Sequence, residues 1–136
     1  MAGNPRTRQI VEEFAYSQNP KYFARNAIFV VEPLSESYRG RNAIKAMLDT
    51  FYHEAFSDAS AEIVNVAADS EKGLGFIEFI FRGKHTGKLR DVLPSGKSVE
   101  IPMLGVYEID GEMIKHARLY YDMSTILNQA GQTEEE

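Results

Sequence analysis

From Arg41 to Phe56 the apolar residues Ala43, Ile44, Met47, Leu48, Phe51, Ala55 and Phe56 recur in steps of three and four, which puts them on one face of a helix. This is the longest helical pattern in the chain and predicts the main helical wall of a core. An earlier helix is expected over about residues 5 to 17, where Asn4-Pro5 supplies an N-cap and a first helical residue and Ile10, Val11 and Phe14 follow at helical spacing. Asn19-Pro20 repeats the start signal, so one or two helical turns carry Tyr22 and Phe23 to the core before a short strand, Ala27 to Val31. Glu32 to Gly40 contains proline, serine and glycine and reads as a loop.

After Ser57-Asp58 the period changes to two. Ser60 to Asp69 reads as a strand with Val64 and Val66 on one face and Ile63 and Asn65 on the other, and Leu74 to His85 turns Ile77, Phe79, Phe81, Gly83 and His85 toward the core. Gly87 to Gly96 is a loop. Lys97 to Ile109 is then expected to pair with Glu112 to Asp122 across an Asp110-Gly111 type I′ turn, whose central residues both need positive φ. That turn sets Tyr107 opposite Ile114, Gly105 opposite His116, Met103 opposite Arg118, Ile101 opposite Tyr120 and Val99 opposite Asp122. Opposed residues share a face. The expected face is an apolar floor of Val99, Ile101, Met103 and Tyr107 beside a row of ionisable groups, which is what a small-molecule pocket requires. A short helix from Met123 to Ala130 closes the chain. Three helical segments, four long antiparallel strands and this helix predict an α+β domain in which one curved sheet wraps the helices.

Composition narrows the partners. At 136 residues the chain is one domain, with residues 1–5 and 132–136 as tails. A net charge of -5 argues against nucleic acid or anionic membranes, which need clustered positive charge. No run of 18 apolar residues occurs and Met1 to Arg8 lacks the apolar core of a signal peptide, so a cytoplasmic protein is expected. The absence of cysteine excludes disulfides, thiolate nucleophiles and cysteine-held metals. The three histidines are scattered without ligand spacing, and neither metal nor organic cofactor is expected.

Six segments carry a more specific likeness: G-R-N-A-I at Gly40 to Ile44, A-F-S-D at Ala55 to Asp58, G-K-H-T-G at Gly83 to Gly87, P-S-G-K at Pro94 to Lys97, D-G-E-M-I at Asp110 to Ile114, and Y-D-M-S-T-I-L-N-Q-A-G at Tyr121 to Gly131. In order and spacing they resemble the SnoaL-like polyketide cyclase family of the nuclear transport factor two-like superfamily. The resemblance implies a cone-shaped α+β barrel with a deep pocket, often as a homodimer. It also implies that Asp122 is the general acid/base of a cofactor-independent ring closure and that His85 lies near the pocket. The superfamily includes ketosteroid isomerase-like and epoxide hydrolase-like proteins as well as non-catalytic binding modules, so the fold leaves the chemistry open.

A carboxylate acts as a base toward a carbon acid when burial raises its pKa, and Asp122 beside Val99 and Ile101 would meet that condition. The same aspartate is also well placed to cap the closing helix. His85 can orient a carbonyl or shuttle a proton, or be fastened to backbone at a strand end. Tyr120 is a candidate hydroxyl donor to a developing enolate, or an ordinary packing ring. Arg118 and His116 face the pocket only if the hairpin has no bulge, because one extra residue turns the whole set outward. An inward Arg118 would pair with Asp122 or with an anionic substrate group, and pairing with Asp122 would lower its pKa. Phe79, Ile101 and Met103 are the apolar contacts for a substrate. On the opposite face Leu104, Val106, Met113, Leu119 and Tyr121 are too apolar for water and predict a homodimer. The leading reading is an enzyme moving protons on a hydrophobic carbonyl compound, a cyclase or isomerase. The alternative is a non-catalytic ligand-binding or dimerisation module.

Overall fold

The computed structural model describes residues 6–89 and 92–129, so the expected terminal tails lie outside the described residues. Helix α1 (Thr7–Ser17) buries Ile10, Val11, Phe14 and Ala15 and ends at Gln18, whose left-handed backbone (φ 52°) returns its N–H to Phe14 O at 2.7 Å. A 3₁₀ turn at Pro20–Tyr22 follows, opened by the Asn19 side chain accepting from Lys21 N–H at 2.9 Å. Strand β1 (Phe23–Val31) starts four residues before the expected Ala27. The segment expected as a loop holds a 3₁₀ turn, Glu32–Leu34, and an edge strand β2 (Glu36–Arg39) paired antiparallel with β1. Its polar side chains hide the strand, because what orders it is backbone pairing to β1 rather than an apolar face.

Helix α2 (Arg41–Asp49) buries Ile44, Met47 and Leu48 as the apolar stripe predicts, but it widens into a π-helical turn at Thr50–Ala55 before the chain extends at Phe56. Strands β3 (Phe56–Asp69), β4 (Leu74–His85), β5 (Ser98–Asp110) and β6 (Met113–Tyr120) then form an antiparallel run, and α3 (Met123–Gln129) closes it. The six strands lie in the order β2-β1-β6-β5-β4-β3, with β1 and β6 parallel. The sheet curves around α1 and α2, and its concave face holds the core.

Phe14, Phe23, Phe56 and Phe81 are all less than 2% exposed, and each such ring contributes up to about 3 kcal/mol by leaving water. Phe14 meets Phe23 edge-on at 5.0 Å and Phe81 meets Phe56 at 5.1 Å, so helix and sheet interlock through aromatic pairs. α1 crosses β4 at Gly75, where an added Cβ would lie 2.3 Å from Val11 Cγ2. Only glycine admits the helix that closely.

Two irregularities set the faces. In β3, Ile63 opposes Phe79 and Val66 opposes Ile77, with a register shift between Ile63 and Asn65 that leaves Val64 46% exposed. The expectation that Val64 and Val66 share a face is therefore corrected: Ile63 and Val66 both pack toward the core. In the last hairpin the turn residues are Gly111 and Glu112, since Asp110 pairs with Met113. That displacement moves each partner by two and keeps the faces. Between the pairs Glu108–His116 and Ile109–Ile114, however, Lys115 is an extra residue, and the further shift of one exchanges the faces.

Candidate functional site

The Lys115 bulge puts Ile114, Ala117 and Leu119 on the concave side, at 0%, 0% and 8% exposure, and His116, Arg118 and Tyr120 on the convex side. The expected row of ionisable groups over an apolar floor is thus not formed. The physical reason lies in the spacing of the apolar residues. Ile114 and Leu119 are an odd number of positions apart, so a regular strand buries only one of them. The bulge buries both and leaves the charges in water. Arg118 donates to Glu108 Oε2 at 2.7 Å, and its hydrogen bond holds the Glu108 carboxyl below the usual range. His116 Nδ1 is 3.9 Å from the same carboxylate. Leu119 and Tyr121 also leave the face on which they were expected, so the convex apolar residues are Val106, Leu104 and Tyr120, the last two 40% and 41% exposed.

Asp122 sits at the start of α3 with its carboxylate in solvent. Its Oδ1 accepts from Ser124 Oγ at 2.7 Å and Ser124 N–H at 2.9 Å, and these bonds lower its pKa. The raised pKa expected from burial against Val99 and Ile101 is corrected, since those side chains are on the concave face and Asp122 opens onto a wide convex groove with Glu78, Leu104 and Tyr120. Helix α3 is held to the sheet instead by Gln129, whose amide exchanges hydrogen bonds of 2.6 and 2.9 Å with the Glu100 backbone, and by Ile126, which is 1% exposed.

His85 is fully buried at the end of β4, opposite Phe56, with the rings 5.6 Å apart. The loop after β4 folds back on it. Gly96 N–H donates to His85 O at 2.7 Å, and His85 N–H donates to Lys97 O at 2.8 Å. Ser95 N–H donates to Nδ1 at 3.3 Å, with Ser95 Oγ 3.2 Å from the same nitrogen. A ring whose Nδ1 accepts carries its proton on Nε2, and Nε2 is buried without a hydrogen-bond partner. The structure does not bring His85 and Asp122 into one cavity.

Besides the convex groove of about 980 Å³, further concavities lie on the helical side of the sheet. A compartment of about 420 Å³ opens between α2, β2 and α3, within the range of ligand pockets. Val31, Leu34, Met47, Phe51, Leu89 and Ile126 give it an apolar lining, and among the described residues its one lining carboxylate is Glu36, which accepts from Tyr38 Oη at 2.8 Å. Met47 and Phe51 also line a smaller inner cavity of about 30 Å³, room for roughly one or two waters. Phe79 and Met103 line this inner cavity, while Ile101 is buried in the core. Two phenols, Tyr52 and Tyr107, complete its wall. A lateral groove of about 390 Å³, bordered by α1, α2 and β3, meets the same cavity at Gln18, Leu48 and Tyr52.

Tyr52, Tyr107, Glu36 and Gln18 were not singled out from the sequence. Tyr107 stood on the predicted concave face, and its polar tip was the available signal. Tyr52 is off the helical stripe and comes inward in the π turn, which no local pattern announces. Among the described residues no group of three or more His, Asp or Glu is placed to hold a metal ion, and no helix is long and apolar enough to cross a membrane.

A curved sheet wrapped on two helices, with its ligand-sized space between them, defines a small-molecule-pocket fold of the ketosteroid isomerase-like kind. The sequence profile of the SnoaL-like polyketide cyclases matches residues 6–130, and the chain belongs to that family. Among curated proteins none matches at a significant level. Solved structures repeat the fold at low identity. A protein from Jannaschia sp. CCS1 described as a SnoaL-like polyketide cyclase superposes with TM-score 0.84 at 12% identity, covering 96% of this chain and 95% of that one. A protein with a ketosteroid isomerase-like fold from Catenulispora acidiphila DSM 44928, in complex with trimethylamine, gives 0.71 at 22% identity over 94% of each chain. TsrD from Streptomyces laurentii gives 0.78 at 16% identity, over 96% and 98%.

Proposed function

We propose that the protein binds a hydrophobic carbonyl compound in the compartment beneath α3 and moves a proton on it, without a cofactor, in a ring closure or isomerisation. The observation that carries this reading is the compartment itself: about 420 Å³, largely apolar, with the Glu36 carboxylate in its wall and an inner cavity behind Met47 and Phe51. Apolar walls hold the body of such a compound, and a carboxylate supplies a place for its proton. Family membership supports the same class of chemistry. Asp122 keeps its proposed acid/base role from the rim beside Tyr121 and Met123, which line both the compartment and the convex groove. His85, fully buried and lining neither cavity, takes the other expected role, fastened to backbone at the end of β4. Asp122 would act only after exchanging its Ser124 hydrogen bonds for the substrate. In the proposal the protein works in the cytoplasm as a homodimer joined by its convex face around Leu104 and Tyr120, and light scattering that finds only monomer would remove that part.

The test is α-proton exchange. Hydrophobic β-dicarbonyl and aryl ketone compounds are first screened for binding, then incubated with the protein in D₂O and followed by NMR. Protein-dependent deuterium uptake or ring closure is expected. Asp122→Asn and Glu36→Gln identify the carboxylate, the one in use losing roughly 10²- to 10⁴-fold in rate. Bound compounds that neither exchange nor cyclise would leave the binding-module reading, which the solvated, low-pKa carboxyl of Asp122 favours.

A further inference from the structure

The π turn that follows α2 is pinned at both ends. At its start the Thr50 hydroxyl donates to Ala46 O at 3.0 Å, a carbonyl that Thr50 N–H also reaches. At its end Ala55 O, one of the terminal carbonyls for which a helix has no partner of its own, accepts from Thr86 N–H at 3.2 Å and from Gly87 N–H at 3.0 Å. Both donors belong to the G-K-H-T-G segment, Gly83 to Gly87. Gly87 lies so close to the turn that an added Cβ would overlap Glu54 O, a backbone atom that can yield only if the turn moves. In the same segment His85 is held by Ser95 and packs on Phe56, and Phe56 stacks on Phe51 at 6.0 Å with the rings 16° from parallel. Phe81 meets Phe51 edge-on at 5.9 Å. The position of Phe51 is thus set by backbone bonds at both ends of its turn and by two aromatic contacts.

What Phe51 separates gives that position its consequence. Among the described residues, Phe51 and Met47 line both the compartment of about 420 Å³ and the inner cavity of about 30 Å³. π turns are often found at functional sites, and here one supplies the partition between the two spaces. We infer that Phe51 is a specificity-determining residue whose ring sets how far the alkyl chain of a ligand extends from the compartment toward the inner cavity, and that Gly87 is a positioning residue acting on Phe51 through the π turn. The inference rests on the proposed reading of the compartment as the ligand site, and it narrows the substrate class to aryl ketones whose alkyl chain stops at Phe51. Each methylene that enters the compartment adds to affinity by leaving water. A longer chain finds no further space behind the ring, because the inner cavity has room for only about one or two waters, and its end turns back toward solvent.

The test measures binding and needs no turnover. Acetophenone, butyrophenone, hexanophenone and octanophenone are titrated into the folded protein and followed by NMR. In the wild type, affinity is expected to rise with chain length and then level off. In Phe51→Ala the partition is gone, and affinity should go on rising by roughly fourfold for each further methylene buried, so that octanophenone gains at least about 10-fold while acetophenone changes little. Phe51→Leu, which keeps an apolar side chain in the core, should move the levelling point less far in the same direction. Gly87→Ala should also move it, because the new Cβ displaces the turn. Gly75→Ala, at the crowded crossing of α1 and β4, should lower the melting temperature and leave the levelling point in place, which separates the effect from loss of stability alone. A levelling point that is the same in the wild type and in both Phe51 variants overturns the specificity role, and one moved as far by Gly75→Ala as by Gly87→Ala overturns the positioning role. If none of the ketones binds the folded wild-type protein, the compartment reading fails and the inference fails with it. Binding that follows the expected pattern in a protein that exchanges no α-proton overturns only the catalytic reading, so the failures are distinguishable.

Discussion

The concave and convex faces of the β5–β6 hairpin are made from alternate residues of the same strands, yet they treat polar groups in opposite ways. On the convex face Arg118, Glu108 and His116 pair with one another in reach of water, and Arg82 bridges Glu62 and Glu100 between neighbouring strands. On the concave side Tyr107 and His85 sit buried among aromatic rings, and His85 Nε2 has no hydrogen-bond partner. The convex pairs satisfy each other and are worth little, as exposed ion pairs usually are. Charge marks the solvated side of this sheet, while aromatic rings fill the dry side.

The comparison depends on which residues the bulge at Lys115 turns inward, and charging one of them is the strongest way to break it. Ala117→Asp puts an unpaired carboxylate on the concave face, where Ala117 is 0% exposed. Burying unpaired charge of this kind costs on the order of 3–5 kcal/mol. The variant is expected to be unfolded or strongly destabilised by circular dichroism and urea titration, and wild-type stability would show that Ala117 does not face the core.

A smaller effect sharpens the contrast in packing. Gly75→Ala adds one carbon on the concave face where Val11 Cγ2 already stands 2.3 Å from the new atom, so α1 must move off β4. The loss is expected at about 1–3 kcal/mol. Val64→Thr on the exposed side of β3 should stay within about 0.5 kcal/mol. Equal melting temperatures for the two variants would contradict the asymmetry.

The smallest effect belongs to the convex pair. Glu108 has a folded-state pKa below its unfolded value, chiefly through the Arg118 hydrogen bond. Its contribution is therefore present above the ordinary glutamate value and is lost as pH falls through the lowered folded one. Its side chain is 35% exposed, so after screening by solvent the pair is worth less than about 1 kcal/mol. In Arg118→Met the acid limb of the stability curve should flatten slightly, with no change above neutral pH beyond that small loss. A loss of several kcal/mol would mean that the convex charges hold the sheet together after all.

Much of the architecture was legible in the chain. The helical stripe of Arg41 to Phe56 marked α2, Asn19-Pro20 marked the short turn, and alternation in Leu74 to His85 gave the concave face of β4 correctly. Of the candidate site, Phe79 and Met103 reach the inner cavity, because both lie on strands whose alternation is unbroken there. Strand β2 was missed because an edge strand is held by backbone bonds that its polar side chains do not advertise. His116, Arg118, Tyr120 and Asp122 were misplaced because a hairpin turn sets register only until the first bulge.

Local periodicity therefore specifies where helices and strands run, since it reflects each segment's own need to bury one face. It does not specify parity across a bulge, which depends on β6 satisfying β5 on one side and β1 on the other while keeping its charges in water. Nor does it specify that a π turn brings Tyr52 to the same cavity as Tyr107, more than fifty residues later in the chain. Those placements come from packing between segments distant in sequence, where the free energy of burying Ile114 with Leu119, and of closing α1 on Gly75, is shared among elements that no single stretch of sequence contains.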